Sequence, residues 1–420
     1  MREMKDSGIE WIGAIPAAWG VHRIASHFQE IKEKNTANAY SNALQFKMGE
    51  IIAKPQKWDE DETNETYSAY TVVHPNTIMI NGLNLEFDFV TQRVARVECN
   101  GIITSAYIAL SPRDDINAEY ICYLLKSYDA CRAFHSMGRG LRKILSYSEL
   151  KNKPIVVPPL AEQERIAAFL DAECAEIDAV LEKTRASIEE YKKLKQAVIT
   201  QAVTKGIRGD RPMKDSGIEW IGEIPAEWDV LNLVAHTSML TPMRDRPENL
   251  DGPIPWVRIE DFEGKYIESS KAGLGVSMKT VKEMNLKVYP VGTILCTSSC
   301  IMGKCAIVSR ELVSNQRFIG IIPDRTTDKT YLYYLMTSNA ERMNFLSTGA
   351  LQANLSRSAF EHLKVQFPPY SEQQEIAAYL DDKCEKIDEL ILKKQQYLTE
   401  IENYKKSLIY EYVTGKKEVV

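Results

Sequence analysis

Residues 4–19 read MKDSGIEWIGAIPAAW and residues 213–228 read MKDSGIEWIGEIPAEW. Two of the sixteen positions differ, Ala14 against Glu223 and Ala18 against Glu227. The offset of 209 residues is almost half of the 420-residue chain, so it marks two domain-sized units in tandem rather than a solenoid. Each unit is long enough to bury a core.

Outward from each copy the pattern repeats. Residues 20–157 carry short apolar runs broken by turn residues, Tyr70–Val73 before His74-Pro75-Asn76 and Thr77–Ile80 before Asn81-Gly82. Val94–Val97 and Ile102–Leu110 follow, and all read as strands joined by tight turns. Ala118–His135 has helical spacing. In the second half Trp256–Ile259, Gly292–Cys296, Cys305–Val308 and Phe318–Ile322 read as strands, and Tyr331–Phe345 as a helix.

The character changes at Pro158-Pro159. From Leu160 to about Lys205 there is no Pro or Gly, and a heptad stripe runs Leu170, Cys174, Ile177, Leu181, Thr184, Ile188, Tyr191, Lys195, Val198, Ala202. The same stripe, shifted by 210, runs from Leu380 to Tyr412 after Pro368-Pro369. At about 1.5 Å per residue each helix would reach roughly 65–70 Å, too long to stand alone with so narrow an apolar face. Ser371 with Gln374 reads as a capping box for the second helix. The helix starts PPLAEQERIAAFLD (158–171) and PPYSEQQEIAAYLD (368–381) share nine of fourteen residues, while the middles of the halves barely match.

Residues 206–212 cannot span a return of that length at no more than about 3.6 Å per residue, so the helices are expected to pair antiparallel. The fold class is therefore α+β: two mixed α/β heads separated by two long antiparallel coiled-coil helices, pseudo-two-fold symmetric. The boundaries are 1–157 for the first head, 158–206 for the first helix, 207–367 for linker, repeat and second head, and 368–420 for the second helix and tail. The repeat is expected to join head to rod, with Trp11, Trp220, Pro159 and Pro369 as anchors and Met1 near Val420.

Two diverged reading heads on a rod suit an asymmetric, split DNA target, since heads on one face of a duplex sit about one turn, roughly 34 Å, apart. The net charge of −6 does not come from the heads: 20–157 has 16 Lys+Arg against 16 Asp+Glu, and 229–367 has 16 against 14. Gly138-Arg139-Gly140-Leu141-Arg142-Lys143 is the densest basic cluster, and its counterpart Gly349–Asn354 is polar. Arg reads guanine and Asn or Gln reads adenine bidentately. Candidate DNA contacts are Lys47, Arg93, Arg96, Tyr107, Arg139, Arg142 and Lys143 in the first head. In the second they are Arg258, Lys265, Ser298, Lys304, Asn315, Gln316, Arg317, Gln352, Asn354 and Arg357. An ordinary solvated surface is the competing reading for each.

The KDSGIEWIGEIP repeat, the PP-x-x-EQ-x-x-IA-x-x-LD helix start and the order head–helix–head–helix resemble the specificity (S) subunit of type I restriction–modification systems. The resemblance spans the whole chain. It implies that the diverged heads are target-recognition domains and the helices spacers. It also implies double-stranded DNA, two adenine methyltransferase (modification) subunits and ATP-dependent restriction subunits as partners. S-adenosylmethionine, ATP and Mg would then bind the partners, and this chain would hold no cofactor.

The residues agree with a non-catalytic chain. Phe367-Pro368-Pro369-Tyr370 lacks the leading amide or carboxylate of a methyltransferase motif, and no G-x-x-x-x-G-K-[ST] loop occurs. Cys296, Cys300 and Cys305 lack paired zinc spacing, and the six His form no ligand cluster with acids. Cys174 and Cys384 share a heptad position but are not expected to bridge. The eight cysteines and the charged start point to reduced thiols in the cytoplasm, and no run of 18 apolar residues suggests a membrane span. The rival functions are a coiled-coil scaffold without DNA specificity and a stand-alone nuclease or methylase.

Overall fold

The computed structural model describes residues 2–47, 49–55, 66–89, 91–138, 143–242, 246–299, 303–346 and 355–419. It forms two compact units, Met1–Arg185 with Gln396–Val420 and Ala186–Gln395. Compactness thus divides the chain differently from the sequence frame. Each long helix contributes to both units, because each stretch of its apolar stripe is buried within one of them.

The long helices span Leu160–Lys205 and Tyr370–Val413, 46 and 44 residues. Their buried residues include much of the heptad stripe: Leu170, Cys174, Leu181 and Ile188 on the first, Leu380, Cys384, Ile387 and Leu408 on the second. Burying a leucine such as Leu170 or Leu380 stabilises by roughly 1.5–3 kcal/mol. The first N–H groups are capped by the carbonyls of Pro159 and Pro369, which accept from Glu162 and Glu372 at 2.8 and 2.9 Å. The Ser371–Gln374 capping box is therefore corrected: Tyr370 is already helical, so Ser371 lies inside the first turn.

In the first unit, Asp178 pairs with Lys405 at 2.6 Å, Arg185 with Glu402 at 2.8 Å, and the Phe169 ring meets Tyr412 at 4.5 Å. In the second, Lys195 pairs with Asp388 at 2.6 Å, Arg208 with Glu375 at 2.7 Å, and Lys394 lies over Tyr191. Within each unit one number rises as the other falls, so the segments run antiparallel. Asp178·Lys405 and Lys195·Asp388 are one contact in two copies, since 178 + 210 = 388 and 195 + 210 = 405.

The heads share a frame and differ inside it. In both, a strand after the repeat pairs antiparallel with the strand before the long helix: Gly20–Arg23 with Pro154–Val157, and Asp229–Asn232 with Lys364–Phe367. Within the first frame lies a four-stranded antiparallel sheet in the order Phe28–Glu30, Ile108–Pro112, Ile78–Ile80, Val94–Arg96. Within the second lies a five-stranded sheet in the order Thr237–Leu240, Phe318–Pro323, Ile294–Thr297, Cys305–Val308, Tyr266–Ile267, whose last pairing is parallel. The helices Ala118–Ala130 and Lys329–Ser338 are capped by Asn117 and Asp328, whose side chains accept two main-chain N–H groups each. The expected helix over 118–135 breaks at Arg132, which is left-handed with φ 59°. The expected strand over 102–110 is two strands, Gly101–Ile103 and Ile108–Pro112.

The repeat forms a hairpin in each unit, Met4–Asp6 with Ala14–Pro16 and Met213–Asp215 with Glu223–Pro225. The anchor expectation is corrected here. Trp220 is 43% exposed, and Trp11 is half-buried with its ring edge against Tyr128. The buried tryptophans are Trp19 and Trp228, both at 0%. Their indole N–H groups donate to Glu162 and Glu372, each at 3.0 Å, and Arg2 and Arg211 pair with the same carboxylates. Each long helix ends beside this clamp at a left-handed glycine, Gly415 (φ 71°) or Gly206 (φ 75°). A Cβ at Gly415 would collide with Pro16 and lie 3.0 Å from Trp19, so a side chain there is opposed by space as well as by φ; at Gly206, where a Cβ would lie 3.2 Å from Trp228, φ is the main constraint. Met1 and Val420 lie outside the described residues, but Arg2 and Glu418 approach to 3.7 Å.

Candidate nucleic-acid interface

The second head gathers four sequence candidates into one cleft of about 510 Å³, lined by Ser298, Gln316, Arg317 and Arg357 with Thr241, Ser299 and Phe318. The Asn315 amide oxygen accepts the Arg317 N–H at 3.1 Å, a turn that leaves Gln316 and Arg317 exposed. Ser298 then ties the walls together: its N–H donates to the Arg317 carbonyl at 2.8 Å and its carbonyl accepts from Leu355 at 2.9 Å. Arg357 is exposed and pairs with Glu361 at 2.7 Å. Amide, hydroxyl and guanidinium groups on one concave surface are the donors and acceptors that base edges and phosphates require.

The other candidates of this head lie elsewhere. Lys265 is corrected: its ammonium pairs with Asp381 at 2.5 Å and lies over the rings of Tyr266 and Tyr334, so it ties the head to the second long helix. Tyr334 donates to the same Asp381 at 2.6 Å. Arg258 pairs with Glu260 at 3.0 Å, and Lys304 is exposed over the Phe262 ring. Gln352 and Asn354 lie outside the described residues, as do Arg139 and Arg142.

In the first head Lys47 is exposed at the end of the hairpin Leu44–Lys47 with Glu50–Ala53. Tyr107 packs on Phe46 of that hairpin at 5.6 Å, and burial raises its hydroxyl pKa. Arg96 pairs with Glu119 at 3.1 Å and donates to Asn76 at 3.1 Å, beside a cleft of about 390 Å³ that also holds Lys126 and Asp171. Burial, then the Asp171 charge, raises the Glu119 carboxyl above its ordinary range. Lys143 is exposed with φ 39°. Arg93 is corrected. It is fully buried, and its guanidinium donates to the carbonyls of Asn81, Leu83, Asn84 and Asp88. A guanidinium so enclosed braces a loop and does not meet a ligand.

Sequence reasoning missed the groups that hold each head to the helix start. Gln163 accepts the Asn117 N–H and donates to the carbonyls of Asp115 and Pro158; Gln373 does the same with Asp328, Thr326 and Pro368. The signal was present, because Glu162-Gln163 and Glu372-Gln373 are the EQ of the duplicated helix start. Among the described residues no His/Cys/Asp/Glu group could hold a metal ion, and no helix is long and apolar enough to cross a membrane. Cys174 and Cys384 are free thiols.

The family model for the type I restriction modification DNA specificity domain matches residues 99–190 and 229–403. The chain is 36% identical over 176 residues to the type I restriction enzyme MjaIX specificity subunit of Methanocaldococcus jannaschii, covering 39% of this chain and 40% of that protein. It is 24% identical over 424 residues to the putative MjaX specificity subunit of the same organism, covering 97% and 96%. The fold resembles a chain in a structure describing complex assembly and conformational transition of the type I R-M system, with TM-score 0.75, 13% identity and coverage of 96% and 99%. It also resembles the HsdS subunit from Thermoanaerobacter tengcongensis, with TM-score 0.51, 15% identity and coverage of 96% and 98%. Because the matched residues make up more than half of the chain, the chain belongs to the type I restriction–modification DNA specificity family.

Proposed function

We propose that this chain reads an asymmetric bipartite DNA target, one half-site per head, and recruits adenine methyltransferase and restriction subunits without catalysing a reaction itself. The observation that supports this reading is the contrast within the chain. The clamp, the helix caps and the Asp178·Lys405 contact are duplicated, whereas the sheets and exposed polar residues inside the frame differ. A duplicated holder with diverged contents suits two readers of different sequences. On this reading the run of helix between the heads sets the number of unread base pairs. S-adenosylmethionine, ATP and Mg belong to the partners, and the complex works in the cytoplasm.

The test is methylome sequencing of a host with and without the chain, then with residues 20–157 exchanged for another head. One split methylated motif should appear with the chain, and the exchange should alter one half only. Alteration of both halves, or methylation independent of the chain, would sink the proposal. A scaffold without DNA specificity would leave the motif unchanged on exchange.

A further inference from the structure

The loop Asn81–Arg93 of the first head projects two phenyl rings, Phe87 at 75% and Phe89 at 53% exposure. Rings left in water on an otherwise braced loop need a reason. The bracing is extensive. Arg93 holds four of the loop's carbonyls from beneath. The buried Asp129 carboxylate accepts the Arg93 N–H at 2.7 Å and the Gln92 amide at 2.8 Å. His135 stacks on Phe89 at 4.9 Å with the planes 12° apart, and its Nε2 lies 3.2 Å from the Asp88 carbonyl. The loop backbone that carries both rings, and the Phe89 ring itself, are therefore held in place before any partner arrives.

The surroundings indicate which partner. The Arg132 guanidinium lies over Phe89 at 5.3 Å. Gly138 and Lys143 both lie against this loop. A Cβ at Gly138 would lie 2.7 Å from Leu85, and the Leu85 N–H donates to the Lys143 carbonyl at 3.3 Å. The loop's acids are Glu86, which is exposed, and Asp88, which approaches Arg93 at 3.8 Å. Cations around exposed aromatics complement a phosphate backbone with stackable bases. Two phenyl rings expose at most roughly 400 Å², about half of what one partner buries in a standard protein interface. The matched arginine of the second head, Arg342 (132 + 210), also lies on exposed rings, 3.8 Å over Trp220 and 4.9 Å over Phe345.

We propose that Phe87 and Phe89 form a preorganised wedge that stacks on bases of the duplex at the first half-site, with Arg93 as the residue that positions it. This rests on the DNA-reading function above and adds a mode of contact to it: apolar insertion, which unstacks a base step.

The test uses the full chain and duplexes carrying the mapped target, with 2-aminopurine placed at successive positions of the first half-site. Wild type should bind target over scrambled duplex and raise the fluorescence at one step. Phe87→Ala with Phe89→Ala should weaken binding about tenfold or more and abolish that rise. It should leave the slope of log K against log salt unchanged, while Lys143→Gln should reduce that slope by about one. Phe87→Leu with Phe89→Leu should keep part of the affinity, and unaltered thermal melting of all variants separates contact from folding. Unchanged binding and fluorescence in the double alanine variant would overturn the wedge alone. So would intact DNA binding with lost capture of methyltransferase subunits, which would mark a protein-docking patch. A wild-type chain that does not distinguish target from scrambled duplex would overturn the reading function and the wedge with it.

Discussion

Trp11 and Trp19 stand eight residues apart in one repeat and have different fates. Trp19 is sealed against Glu162, whereas Trp11 rests at the edge of Tyr128. Composition does not separate them; geometry does, because the hairpin places Trp19 at the helix start and the end of the other long helix. Trp19→Phe or Trp228→Phe should therefore cost about 1–3 kcal/mol, since a buried carboxylate loses a donor. Trp220→Ala should cost less than about 1 kcal/mol, the scale of one cation–π contact with Arg342. Urea denaturation of each variant measures both. Arg93 and Lys265 teach the same lesson for charge. Their residue types suggested ligand contacts, and only the fold shows that carbonyls and Asp381 already engage them.

The long helices were the most legible elements, because a heptad stripe is a one-dimensional signal that burial then follows. Leu380→Ala should cost about 2–5 kcal/mol, whereas Leu392→Ala, at 55% exposure, should stay within roughly 0.5 kcal/mol. Lys195→Gln should lose less than about 1 kcal/mol, because its pairing with Asp388 is partly solvated. Equal losses for Leu380→Ala and Leu392→Ala in denaturation would contradict the stripe. The strands were legible as apolar runs, but their partners were not. A run such as Cys305–Val308 does not say that one neighbour is Ile294–Thr297 and the other the parallel strand Tyr266–Ile267. The helix break at Arg132 was also invisible, since a left-handed residue other than Gly leaves no mark in composition.

At the scale of the whole molecule, duplication was legible because the frame repeats residue by residue, while the recognition surface was not, because it is where the halves differ. The cleft around Gln316 and Arg317 joins segments far apart in sequence. On the proposed reading, spacing at this scale is set by the helices that serve both units. Four extra residues in each helix, at Arg185/Ala186 and Gln395/Gln396, add about 6 Å, or about two base pairs. Methylome sequencing should show a longer spacer between unchanged half-motifs, and an altered half-motif would count against spacing by helix length.

The way the chain is shared between the units also dictates the order in which it can be made. Ala186–Gln395 is continuous, so a ribosome can deliver the second unit whole. The first unit waits for Gln396–Val420, which emerges only after the second unit. Until then Ile166 and Leu170 lack the Leu408 and Val413 side of their core, and the Trp19 clamp lacks Gly415. A premature stop or a protease cut just after Gln395 would thus disable the head encoded first and spare the one encoded second.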